Sequence, residues 1–305
     1  MALEIPVTGR PAGCVREGKM VADGSLKRCP LCSGGSEQAG VNGRVRLVKC
    51  QGCGFVYAGA SDSEIAAANR CGEQTADLYH RLQSAVDKAW FDWLVGRFPG
   101  KTVLDIGCGN GLLLRRYLAA GWDVAGVDPA PWARTSDYPL FEEVAQARRD
   151  FYDVVTCTSV LEHIPNPVDM VQVALAAARP GGTVYMSVPN FDSWAARRKP
   201  ERMRAQDLPY HCNFFTPRDL RRICSSIGVR SFRIRSYGMP LAWDFWRRRR
   251  LKAEPAKRTD APPVQAQRGE LVPSWKHRLV VKAYYWAGLW RGDKLELCIT
   301  KPAQS

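Results

Sequence analysis

No stretch of this chain is apolar for long enough to cross a bilayer. The longest candidate, 279–290, is interrupted by Lys282, whereas a spanning helix needs about 20 apolar residues. The N-terminus lacks the charged segment and apolar run of a secretory signal, and no internal repeat is visible, which excludes a solenoid. These absences predict a soluble, cytoplasmic chain. Disulfides are rare in that compartment, so the 11 cysteines are expected to be metal ligands or free thiols. Acidic residues are in deficit as well: 30 Asp and Glu face 44 Lys and Arg, a formal net charge of +14. The imbalance is strong in residues 241–305, with 14 basic against 6 acidic side chains. Such a segment suits an anionic partner, nucleic acid or a membrane surface, or simply reflects an Arg-rich composition.

Among the residues present, two cysteine pairs come first along the chain. Cys29-Pro30-Leu31-Cys32 and Cys50-Gln51-Gly52-Cys53-Gly54 form a C-x2-C-x17-C-x2-C pattern. Each pair places two sulfurs on one tight turn. Four thiolates suit tetrahedral Zn2+ with no open position, which makes the site structural rather than catalytic; iron is the rival metal. A redox C-x-x-C is the competing reading of one pair, and two pairs at this spacing argue against it. The alternating segment 45–49 reads as a strand entering the second turn, and Phe55-Val56-Tyr57 as the strand leaving it. Residues 27–58 are thus expected to be a zinc ribbon. Cys14 and Cys71 have no partner at comparable spacing and receive no role.

The most informative stretch is Val103-Leu104-Asp105-Ile106-Gly107-Cys108-Gly109-Asn110-Gly111. An apolar strand ends in an acid and runs into three glycines at alternate positions, ahead of the helix start Leu112-Leu113-Leu114. Glycines there let backbone approach a ligand closely, and the helix N-terminus offers free N–H groups. A second strand, 122–127, ends at Asp128, 17 residues after Gly111, near where a βαβ unit places an acid for ribose hydroxyls. A third, 151–157, runs into Thr158-Ser159-Val160-Leu161-Glu162-His163-Ile164-Pro165. A helix over 167–178 and the strand Arg179–Asn190 follow.

The segments VLDIGCGNG, the strand ending in Asp128, VLEHIPNP and RPGGTVYMSVPN resemble, in this order, the class I S-adenosylmethionine-dependent methyltransferases. The resemblance covers roughly residues 100–240, with a weaker echo at 294–302. It implies an α/β fold: a Rossmann-like, mostly parallel seven-stranded sheet with helices on both faces, here preceded by the small ribbon. It also implies S-adenosylmethionine as methyl donor, beside a structural Zn2+. The donor-binding residues it points to are Asp105, Gly107, Cys108, Gly109, Gly111, Asp128, Pro129, Ser159 and Val160. The glycine turn would hold the methionine and ribose portion, and Asp105 would orient that turn or receive the donor's ammonium. Asp128 would accept from the ribose hydroxyls, and Ser159 and Val160 would line the pocket. Glu142 and Glu143 are the nearest candidates for the adenine. His163, His211 and Tyr210 are the catalytic candidates. Tyr210-His211-Cys212-Asn213-Phe214-Phe215-Thr216 resembles the segment supplying substrate contacts in small-molecule members. Sugar C-methyltransferases carry a Glu-His pair just after the Tyr-His; Cys212 and Asn213 stand there, which weakens a sugar-carbon assignment.

The expected organisation is a loose arm over 1–26, the ribbon over 27–58, a helical cover over 59–99 and the catalytic domain over 100–305, with a basic, Trp-rich insertion at about 237–293. Ser61-Asp62-Ser63-Glu64 has capping-box form, residues 75–98 show helical spacing, and Thr216-Pro217 opens another helix. Gly121 and Gly228 close helices. Residues 229–234 and 295–299 are expected to be strands, the last antiparallel. The expected function is in-line methyl transfer to a small-molecule acceptor, such as a sugar, a cell-surface or a secondary metabolite. Two alternatives stand beside it. One is an RNA methyltransferase using the ribbon and the Trp/Arg segment. The other is a membrane-peripheral enzyme acting on a lipid-linked acceptor through a helix at 274–291.

Overall fold

Strands whose neighbouring residues are both apolar must be covered on both faces, and the chain from 102 to 300 builds the sheet that this requires. In the computed structural model, which describes residues 27–42, 45–69, 85–130, 133, 137–198, 210–238 and 292–303, seven strands form that sheet. They are β4 (Thr102–Ile106), β5 (Asp123–Val127), β6 (Leu140–Phe141), β7 (Tyr152–Thr158), β8 (Ala178–Pro189), β10 (Phe232–Tyr237) and β11 (Lys294–Thr300), in the order β10-β11-β8-β7-β4-β5-β6. β4 pairs in parallel with β5 and β7, β5 with β6, and β7 with β8. β11 runs antiparallel to β8 and β10.

Adjacent strand residues divide between two apolar layers. Val103, Val124, Val154 and Tyr185 pack with Leu94 of α2 (Ala85–Val95) and with Leu113, Leu114 and Tyr117 of α3 (Leu112–Ala119). Leu104, Ala125, Val155 and Met186 pack with Val171 and Ala174 of α4 (Pro167–Ala177). Leu220 and Ile223 of the helix Pro217–Ser226 join the same layer. This is the sandwich of a doubly wound fold. Its order reverses between β4 and β7, and such a switch point opens a crevice at the strands' carboxyl ends.

A second sheet carries the cysteines: β1 (Ser36–Asn42), β2 (Val45–Cys50), β3 (Val56–Ala58) and β9 (Asn213–Phe214). β9 follows β8 in the chain, so the last strand of this cysteine-bearing sheet belongs to the catalytic region. Val48, Phe55 and Tyr57 of the ribbon share one apolar cluster with Phe215, Leu220 and Ile223, and the Phe55 and Phe215 rings lie 5.5 Å apart.

The local signals act as their chemistry predicts. Ser61 and Glu64 close a reciprocal box, Ser61 N–H to Glu64 Oε2 at 2.7 Å and Glu64 N–H to Ser61 Oγ at 3.2 Å, at the start of helix α1 (62–69). Thr216 and Asp219 close another at the helix Pro217–Ser226. Gly121 (φ 77°) and Gly228 (φ 73°) stand where helices stop. One strand is displaced from its expected position: β10 covers Phe232–Tyr237, not 229–234. Val229 spends its N–H on Cys224 O as part of the helix stop, so pairing cannot begin before the turn is complete. The polar strand β1 carried no apolar alternation and was not expected. Residues 1–26, with Cys14, lie outside the described residues, as do Cys71, residues 75–84 of the expected helix over 75–98, and 239–291 of the insertion with the 274–291 segment. Among the described residues, no helix is long and apolar enough to cross a membrane.

Candidate functional site

The glycine turn sits at the carboxyl end of β4, held down by β5: Gly107 and Cys108 donate their N–H groups to Val127 O at 2.7 and 3.2 Å. Gly107, Gly109 and Gly111 all have left-handed φ, at 71°, 55° and 73°, a region that side-chain-bearing residues enter at a cost. Two are also required by close approach. A Cβ on Gly107 would lie 2.3 Å from Val160 Cγ2, and one on Gly111 would lie 1.8 Å from Tyr138 Oη. Gly111 precedes α3, whose first N–H groups face the turn.

Asp128 follows β5, and backbone fixes both its oxygens. Gly109 N–H donates to Oδ2 at 2.8 Å and Ala130 N–H to Oδ1 at 2.9 Å. A carboxylate oxygen accepts more than one bond, so the oriented group retains capacity for two hydroxyls. Pro129 lies between these two anchors. Asp105 is buried at the end of β4, where Thr156 Oγ1 donates to its Oδ1 at 2.7 Å. Burial raises its pKa to about 7; the Thr156 hydroxyl opposes that shift and the nearby Asp128 charge adds to it. Cys108 is buried in the turn, and desolvation pushes its thiol up. Glu142 and Glu143 are exposed just after β6, beside Asp128 N–H, which donates to Phe141 O. The Glu143 side chain is engaged in capping the turn over Val144–Gln146.

Across the crevice, Ser159 directly follows β7 in left-handed backbone (φ 56°), with its N–H on Ser187 O at 2.8 Å. A non-glycine residue held there marks a constrained site. Lys294 Nζ reaches Ser159 Oγ at 3.5 Å. Beyond Val160 the chain turns through Leu161–His163, and the three expected catalytic residues converge. The His163 ring lies 4.0 Å from Tyr210 and 4.7 Å from His211, centre to centre, with Tyr210 and His211 at 5.6 Å. Polar atoms of Glu162, His163 and His211 all lie within 4.8 Å of one another. His163 Nδ1 is 2.8 Å from Tyr210 O. A carbonyl only accepts, so Nδ1 carries the proton. Burial, helped by the Lys294 charge, lowers the His211 pKa to about 4, so this imidazole is neutral at pH 7. Asn213 Nδ2 donates to Leu161 O at 3.2 Å and Ile164 O at 2.6 Å, tying the two halves together.

The four ribbon cysteines also converge. The Sγ atoms of Cys29, Cys32, Cys50 and Cys53 lie within 4.8 Å of one another, with Cys29–Cys53 at 3.5 Å and Cys32–Cys50 at 3.4 Å. Leu31 N–H and Cys53 N–H point at Cys29 Sγ and Cys50 Sγ at 3.4 and 3.3 Å, bonds that stabilise thiolates. Gly34 lies against the cluster: a Cβ there would stand 3.2 Å from Cys50 Sγ. A four-sulfur set this compact, with N–H donors to two sulfurs, fits a tetrahedral ion.

No sequence motif marks Thr156, Tyr138 or Lys294 as part of the site. Thr156 and Lys294 sit in ordinary strand patterns. Asn213 stands out in the sequence only as a departure from the sugar-enzyme pattern. The basic segment 239–291, on which the nucleic-acid and membrane alternatives depend, lies outside the described residues.

Comparison with known proteins follows the same lines. The family described as methyltransferase domain matches residues 75–230. A ubiquinone biosynthesis O-methyltransferase of Acinetobacter baumannii is 37% identical over 116 residues, covering 33% of this chain and 49% of that protein. Its namesake from Bordetella bronchiseptica is 39% identical over 115 residues, covering 33% and 48%. The chain thus spans about half the length of the curated relatives it matches. A solved SAM-dependent methyltransferase from Thermotoga maritima is 13% identical with a TM-score of 0.49, covering 75% of this chain and 97% of that one. With a family match over half its length, the chain belongs to the methyltransferase-domain family, within the class I S-adenosylmethionine-dependent methyltransferases.

Proposed function

We propose that this protein transfers a methyl group from S-adenosylmethionine to a hydroxyl oxygen of a small-molecule acceptor, with a structural zinc ion in the ribbon. The carrying observation is Asp128, whose two oxygens are aimed by Gly109 and Ala130 N–H groups beside three left-handed glycines. Asp128 and the 107–111 turn would hold the ribose and methionine portion. Asp105 would face the donor's ammonium, and Pro129, Ser159 and Val160 would line its pocket. Glu142 or Glu143 remains the nearest group for the adenine. When bound, S-adenosylmethionine supplies a methyl group already activated on a cationic sulfur, so the protein's task is alignment and removal of the acceptor's proton.

His163 is suited to that second task. The Tyr210 carbonyl fixes its tautomer, and its Nε2 accepts the hydroxyl proton. His211 and Tyr210 flank it as the wall against which the acceptor is positioned. Oxygen as the methylated atom draws support from the O-methyltransferase relatives, and the missing Glu-His pair speaks against sugar carbon. Cys29, Cys32, Cys50 and Cys53 would hold the zinc.

The test is calorimetry with S-adenosylhomocysteine, followed by radiolabelled methyl transfer to a panel of catechols, phenols and aliphatic alcohols. Binding by the parent protein, and about 30-fold or greater weakening in Asp128→Ala, is expected from the loss of two charge-assisted bonds. A parent protein that takes up neither the donor nor its thioether product would end this reading.

A further inference from the structure

We infer that the four-cysteine ribbon is a positioning clamp for the histidine-bearing segment 210–215, so that metal loading sets the acceptor wall and leaves the donor pocket unchanged. The inference rests on the proposed methyltransferase reading, and it begins from backbone pairing. β9 is two residues long and, among the described residues, has a sheet neighbour only in the ribbon, where Val56 pairs with Phe214 and Tyr57 with Asn213. Ala58 N–H extends the ladder to Cys212 O at 2.9 Å. On its other side the segment meets the end of β7. Cys212 N–H donates to Glu162 O at 2.7 Å, and the Asn213 amide bridges Leu161 O and Ile164 O. His211 and Tyr210 are therefore gripped between the ribbon and the turn that bears His163.

The ribbon's hold leads straight back to the thiols. Cys50 ends β2 and donates its N–H to Phe55 O, and Gly54 N–H returns to Cys50 O. β3 starts at Val56, directly after that turn. Arg222, from the helix following the histidine segment, donates to Cys53 O at 2.8 Å. The Phe55 ring, from the same turn, lies tilted against Phe215 at 5.5 Å. Two of the four ligand positions thus bear directly on the wall of the acceptor site. The donor loop is anchored elsewhere, to Val127 O and Asp128 on β5, with no ribbon contact among the described hydrogen bonds. Metal ligation would organise the turn 50–55, and a short hydrogen-bonded ladder is a unit that opens locally.

Hydrogen–deuterium exchange on the full-length protein tests this, before and after metal is stripped with 1,10-phenanthroline and measured by elemental analysis. The peptide covering 210–216 should exchange about tenfold or more faster after stripping. The β4 peptide and the S-adenosylhomocysteine affinity should change less than about twofold. Ala58→Pro keeps all four thiols and removes the N–H donated to Cys212 O. It should retain one metal per chain and still lose protection at 210–216. Unchanged exchange at 210–216 in the stripped protein would overturn the clamp while sparing the methyltransferase reading. Equal loss in β4 would overturn it too, by making the metal a support of the whole fold. Absence of metal in the parent protein would overturn it as well. Failure to bind S-adenosylhomocysteine with metal present would instead strike the functional reading.

Discussion

At the scale of single residues, the glycine turn is governed by space as much as by polarity. Gly111→Ala would force a Cβ into left-handed backbone and onto Tyr138 Oη, costing roughly 2–4 kcal/mol. Pairing it with Tyr138→Phe should return part of that loss, a non-additivity readable from urea denaturation of the single and double variants. His211 makes a pH prediction. Its folded pKa of about 4 lies below the 6.5 of a free imidazole, so between these values the unfolded chain binds a proton that the folded chain refuses. The stability contribution is therefore complete above pH 6.5 and is lost as pH falls toward 4, at up to about 1.4 kcal/mol per unit. His211→Gln should flatten that slope in urea titrations at pH 5, 6 and 7. Asp105 acts in the opposite sense, since its raised pKa stabilises the protein at low pH and that stabilisation fades as pH climbs toward 7; parent and variant must therefore be compared at matched pH. The glycine turn and Asp128 were legible because glycine spacing and a strand-end acid are local patterns. Thr156 and Lys294 were not, since what places them is pairing between strands far apart in sequence.

Between elements, a buried ion pair fastens the segment after α2 to the last strand. Arg97 donates to both Glu296 oxygens, at 2.6 and 2.8 Å, and also lies over Trp93 and Tyr185. Glu296 is fully buried in β11. Removing one partner leaves a stranded charge, so Arg97→Met should cost about 3–5 kcal/mol, whereas Arg97→Met with Glu296→Leu should recover much of it. A double-mutant cycle by chemical denaturation measures this; equal damage from single and double changes would contradict the pair's role. Helix stops and starts were readable because caps are local: Thr216-Pro217 and Gly228 are both where the sequence places them. The edges of strands were less so. β1 is polar and exists because β2 offers it a partner; its one sequence cue was the Asn42-Gly43 dipeptide, a hairpin signal. β9 had no cue, since two residues carry no periodicity.

Taken whole, the described parts hang from two apolar layers, one of which runs from the ribbon through β4, β7 and β8 to the helix Pro217–Ser226. Ribbon and catalytic sheet should therefore melt in one transition by calorimetry, with calorimetric and van't Hoff enthalpies in agreement; two separated endotherms would show the cores to be independent. Cysteine spacing announced the four-thiol cluster and motif order announced the sheet, yet neither could announce that β9 would pair with the cysteine-bearing strands. This pairing matters for anyone trimming the protein. A version starting after residue 60 would keep every donor-loop residue but uncover Phe215, now 1% exposed, and leave the backbone of Asn213 and Phe214 without its neighbour. Such a bare, greasy edge invites a second molecule, so the shortened protein should clump on a sizing column where the intact chain does not.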